Sequence, residues 1–89
     1  MAANWKGWAA EAMEQGYLPG NEWEKMLERH MKANLPDVTR EFQEEGEFQE
    51  FLTARTWAAM QMQESLVADG TPFETARELA LKDLFPEPD

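Results

Sequence analysis

With 89 residues, the chain has room for one domain with one modest core, which buries roughly 60–65% of the surface that its unfolded form exposes. Four Trp, five Phe and six Met set it apart from a disordered chain, and eighteen Asp and Glu against eight Lys and Arg give a formal net charge of −10. That charge repels phosphate backbones and anionic lipid headgroups, so direct nucleic-acid and membrane binding are the least expected functions, and a basic protein surface is the natural complement. There is no cysteine, which removes disulfides, thiolate chemistry and cysteine metal centres.

The N-terminal MAANWKGWAAEAMEQG lacks an apolar run of signal-peptide length, and no stretch approaches the ~20 apolar residues that span a bilayer. A cytoplasmic, bacterial-type protein fits. At about 100° per residue, Trp5, Trp8, Ala9, Ala12 and Met13 share one face of a first helix over about 4–15, with Asn4 as N-cap and Gly16 at the stop. Trp23, Met26, Leu27, His30 and Met31 repeat the spacing in a second helix over about 22–33, capped by Asn21 and ended at Asn34. Each helix runs into a Leu-Pro pair, YLPG and NLPD, where proline bars continuation, and the first third is expected to form a helix hairpin.

A short third helix over about 37–45 carries Val38 and Phe42 before Gly46 interrupts it. Phe48, Leu52, Arg55, Ala59, Met62 and Leu66 then step by four and three along a long amphipathic helix over about 47–68. Asp69 and Gly70 end that helix. TPFE opens the last one, over about 72–84, with Thr71 as N-cap, Pro72 at the first helical position and Glu74 closing a capping box. Its buried stripe is Phe73, Ala76, Ala80 and Leu84. The closing PEPD, residues 86–89, is expected to fray as an acidic tail outside a single domain of residues 1–85. Short connections and the absence of any β signal predict an all-α fold, a small antiparallel bundle of four to five helices.

The stretch REFQEEGEFQEFL repeats EFQE six residues apart. On one continuous helix Phe42 and Phe48 would point about 120° apart. A break at Gly46 resolves this, because both rings can then turn inward while the glutamates stay in water.

The candidate sites divide into bland and informative ones. His30, the sole histidine, sits among apolar residues as a core or rim side chain, and it lacks the further donors that a metal site needs. Glu41, Glu44, Glu45, Glu47 and Glu50 form an acidic surface without the loop pattern of a calcium site or the pocket that acid–base catalysis needs. Ser65 has no neighbouring histidine, and the five glycines form no phosphate-cradling loop. No residue is singled out as catalytic, cofactor-binding or metal-binding.

Two side chains stand out. Arg55 falls within the apolar seam of the long helix, where it either snorkels outward or pairs with a carboxylate such as Glu74 or Glu78. Trp57 lies about 180° from that seam, with Thr53, Met60 and Val67 on the same side. A helix that is apolar on both faces is either central in its own bundle, with Trp57 packed under the first hairpin, or half of an interface.

From Leu35 to Pro86, the proline-led short helix, EEGEFQEFL and a long helix ending LVADGTPFETARELALKDLFP resemble small helical bacterial proteins of unknown function, and more faintly the accessory proteins named for transposons. The resemblance implies a helical fold and mobile-element company and carries no catalytic residue across. The functional expectation is a non-enzymatic interaction module, a homodimer or small adaptor, whose contact surface is Trp57, Met60, Val67 and Thr53. The alternative is an acidic inhibitor that offers carboxylates in place of phosphates to a basic groove of a nucleic-acid-processing protein.

Overall fold

The computed structural model describes residues 5–85. Five helices and no strand occur among them: α1 Trp5–Glu14, α2 Glu22–Asn34, α3 Pro36–Glu45, α4 Phe48–Ala68 and α5 Phe73–Leu84. The all-α bundle expected from periodicity is therefore the fold. The proposed Asn4 cap and the PEPD tail lie outside the described residues, as does the side chain of Trp5.

Local chemistry sets most helix ends. Asn21 caps α2 by accepting a hydrogen bond on its side-chain oxygen from the Glu24 N–H, 3.0 Å away. Only Leu35 separates α2 from α3, and Pro36 opens α3 at a first-turn position where no N–H is needed. At the EEGE joint, Gly46 has φ +71°, its N–H bonds to the Gln43 carbonyl at 3.1 Å, and the Glu47 N–H bonds to the Phe42 carbonyl at 2.9 Å. This paired closure requires a left-handed residue, which a side chain would disfavour by about 1–2 kcal/mol. Because the chain breaks there, Phe42 and Phe48 both pack against the core, and Phe42 stacks on Phe51 with centroids 4.4 Å apart. The same pair of bonds ends α1 at Gly16 and α4 at Gly70.

The start of α5 differs from expectation. Pro72 has ψ 143° and stands outside the helix, which begins at Phe73, and no side chain caps it. The Thr71–Glu74 capping box does not form, because the N-cap position falls on a proline, whose ring carries no acceptor.

The centre of the fold is α4, which packs against each of the other four helices. Leu27 and Met31 of α2, Leu52 and Ala59 of α4 and Leu84 of α5 form the buried cluster. Each of its large side chains contributes roughly 1.5–3 kcal/mol by leaving water. Thr53, Ala54 and Thr56 are buried as well, so α4 hides residues around most of its circumference. Its two-faced apolar pattern is thus largely that of a central helix. The expected first hairpin is corrected in the same way: α1 packs along α4 instead of against α2. Its buried stripe is the two alanines Ala9 and Ala12, while Trp8 and Met13 are exposed at the stripe's edges.

Candidate functional site

An open cleft of about 720 Å³ lies where the α1–α2 turn, the start of α2, the middle of α4 and the first turn of α5 converge. Tyr17 and Trp23 line one side, Trp57 and Met60 a second, and Phe73 and Arg77 a third. Glu64 and the amides of Gln15, Asn21, Gln61 and Gln63 supply its polar groups. Six of its thirteen lining residues are polar or charged, so the cleft is of mixed character, with a volume in the range of binding clefts.

Phe73 was expected in the buried stripe of α5, and it is 59% exposed. It shares that helix face with the fully buried Ala80 and Leu84, but its turn overhangs the cleft, where no other helix covers it. Leu18, on the facing turn, is 75% exposed. Two of the four residues placed on an outward face of α4, Trp57 and Met60, are half-buried on the cleft wall. Val67 is exposed, beyond the residues that line the cleft. Thr53 is 4% exposed and lines a separate, smaller cleft against Ala9, Met13 and Pro19 of the α1 side, so it does not share a surface with Trp57.

A buried polar cluster braces the cleft from behind. Glu24 is 4% exposed, and its carboxylate accepts hydrogen bonds from the Tyr17 hydroxyl, from the Gly20 N–H at 3.1 Å and from Gln49 Nε2 at 2.8 Å. A buried carboxylate is tolerable when donors surround it in this way. The three donors tie the α1–α2 turn to α2 and α4, and therefore fix the Tyr17 ring that forms part of the cleft. Burial first, and then the bond to Glu24, pushes the Tyr17 hydroxyl far above its ordinary pKa of 10.0, so it remains a donor throughout the neutral range. Thr56, beside the Tyr17 hydroxyl, holds a buried hydroxyl that makes no hydrogen bond of normal geometry.

Sequence patterning missed Glu24 as a hub. Its signal was present: Asn21 and Glu24 have the spacing of a capping box, which flags a glutamate that turns back toward the preceding loop. Here the carboxylate goes past the cap to Tyr17, Gly20 and Gln49 instead.

Arg55 also finds partners that its sequence position did not name. Its Nε donates to the Leu84 carbonyl at 2.8 Å and its Nη2 to the Asp83 carbonyl at 3.0 Å. Glu74 and Glu78 are not its partners. Because α5 runs antiparallel to α4, the end of α5 lies beside Arg55, and its last carbonyls lack intrahelical donors. Burial lowers the Arg55 pKa, and the nearby Asp83 charge partly restores it.

The acidic residues Glu41, Glu44, Glu45 and Glu50 are exposed around Gly46, and Glu47 is half-buried at the start of α4. Among the described residues, no group of three or more His, Asp and Glu side chains is arranged to hold a metal ion. His30 sits at the rim of the core, with its ring 4.9 Å from that of Phe85 and its Nδ1 3.3 Å from the Asn34 amide. No described helix is long and apolar enough to cross a membrane. Comparison with protein-family models, with curated proteins and with solved structures finds no match.

Proposed function

We propose that the chain is a non-enzymatic protein–protein interaction module whose contact surface is the cleft around Trp57 and Met60. The observation that carries this reading is Phe73: a large apolar side chain on the inward stripe of its helix, yet 59% exposed to an open cleft that it shares with Trp23 and Trp57. A small domain gains nothing from water at such a position, whereas aromatic residues at the centre of a desolvated contact dominate binding energy. The braced Tyr17 adds a wall that is already in place before a partner arrives, which reduces the ordering cost of binding.

The test is size-exclusion chromatography with light scattering on the wild type and on Trp57→Glu, alone and with partner peptides. The wild type engages a partner or itself through the cleft, and Trp57→Glu removes that contact. Equal behaviour of the two proteins in every mixture would contradict the reading.

A second reading is supported by the exposure of Glu41, Glu44, Glu45 and Glu50 around Gly46. These carboxylates suit an acidic inhibitor of a nucleic-acid-processing protein, in keeping with the resemblance to mobile-element accessory proteins. Reversing the four charges abolishes capture of a basic partner on this reading while Trp57→Glu leaves it, whereas on the first reading Trp57→Glu abolishes capture.

A further inference from the structure

We infer that the occupant of the cleft is a basic peptide segment of another protein, which seats a lysine or arginine side chain against the Trp23 and Trp57 rings and an apolar neighbour on Met60 and Phe73. The inference rests on the interaction reading above and adds the chemistry of the partner.

The walls supply the first argument. Aromatic faces carry negative potential and attract ammonium and guanidinium groups, Trp most strongly. Trp23, Trp57 and Phe73 line this one cleft, with Tyr17 largely buried behind them, so an entering cation meets aromatic residues on more than one helix. The carboxylate of Glu64 and the amide oxygens of Gln15 and Gln61 stand among them as acceptors for its N–H groups.

Charge supplies the second. Arg77 is the cation on the wall and Glu64 the anion, so the lining itself is balanced, and the field that reaches an approaching partner is that of a chain with net charge −10. A second copy would bring the same −10 against it, and a phosphate group would be repelled too; a basic segment is drawn in. A cleft of about 720 Å³ suits an anchor of a few side chains, as at the centre of an interface, more than a whole folded surface.

Arg77 and Glu64 make the inference specific. Both are exposed, so substituting either leaves the fold intact. Arg77→Gln removes the one wall charge that opposes a cationic ligand, whereas Glu64→Gln removes the one that favours it. A neutral or acidic ligand would respond in the opposite sense or not at all.

The experiment is selection from a displayed random peptide library on the full chain, followed by fluorescence anisotropy with the enriched peptides. Expected are peptides with net positive charge and an aromatic or aliphatic neighbour, whose binding weakens with added salt. Arg77→Gln tightens them and Glu64→Gln loosens them by about two- to fivefold each, the effect of one partly exposed charge. Trp57→Ala and Phe73→Ala, checked for helicity by circular dichroism, each weaken binding at least about tenfold, as hot-spot aromatics do. Enriched peptides that are neutral or acidic but still sensitive to Trp57→Ala would overturn the basic occupant and leave the interaction reading standing. So would a wild-type dimer that Trp57→Ala dissociates, which would assign the cleft to a second copy. No enrichment, or binding indifferent to both Trp57→Ala and Phe73→Ala, would overturn the two together.

Discussion

Removing the Glu24 carboxylate should destabilise the fold, because one side chain joins the α1–α2 turn, α2 and α4. Glu24→Ala leaves three donors without their acceptor. Gly20 and Gln49 are on exposed residues and can turn to water, so the loss concentrates on the Tyr17 hydroxyl, which is only 9% exposed. An unpaired buried hydroxyl costs about 1–3 kcal/mol, and a hydrogen bond to a charged group contributes about 1.5–3 kcal/mol. Both figures describe the same broken contact, so the expected loss is about 1.5–3 kcal/mol, a large share of the few to about 13 kcal/mol that a domain of this size holds. The assay is urea unfolding followed by Trp fluorescence, in a double-mutant cycle with Tyr17→Phe. Tyr17→Phe removes the orphaned donor, so Glu24→Ala should cost at least about 1 kcal/mol less in that background. Additive losses, with a coupling below about 0.3 kcal/mol, would refute the reasoning, since they would mean that the two groups do not depend on one another.

The raised Tyr17 pKa sets a pH dependence. The folded state holds that proton more tightly than the unfolded state, so its contribution is complete below the ordinary value of 10.0 and is lost as pH rises above it. Urea midpoints should fall above about pH 10 in the wild type and fall less steeply in Tyr17→Phe; parallel curves would contradict this. Arg55→Met should cost about 1–3 kcal/mol in urea unfolding because it leaves the Leu84 and Asp83 carbonyls without a donor, and an unchanged midpoint would rule out Arg55 as the clamp on α5. Thr56→Val should be neutral or stabilising by up to about 1 kcal/mol, since it replaces a buried hydroxyl that makes no hydrogen bond of normal geometry, and a loss of similar size would show that it is bonded to the Tyr17 hydroxyl.

Several helix ends were legible because they are local events, although the start of α5 was not. Gly16, Gly46 and Gly70 mark stops that need a left-handed residue, Asn21 caps the helix it precedes, and the Leu35–Pro36 step turns the chain within one residue. The break at Gly46 was recoverable from the angle between two phenylalanines alone. What the pattern did not show is which helix lies against which face. Thr53 and Trp57 share a side of α4 in projection, yet α1 covers Thr53 and leaves Trp57 at the cleft. Phe73 follows the buried stripe of α5 perfectly well, and only the position of the α1–α2 turn decides that its end of the stripe stays open. Arg55 needed the antiparallel register of α5 before its carbonyl partners could be named. An apolar residue opposite a helix's main seam has few places to go, and for Trp57 and Met60 that place is the cleft wall.

Photo-crosslinking in cells of the source organism separates contact at the cleft from contact at the acidic joint. A crosslinking residue is placed at Met60, at Phe73 or, for comparison, at Glu41. Met60 and Phe73 should yield the same covalent protein adduct, suppressed by Trp57→Glu, with none from Glu41. An adduct formed from Glu41 and absent from both cleft positions would contradict the account.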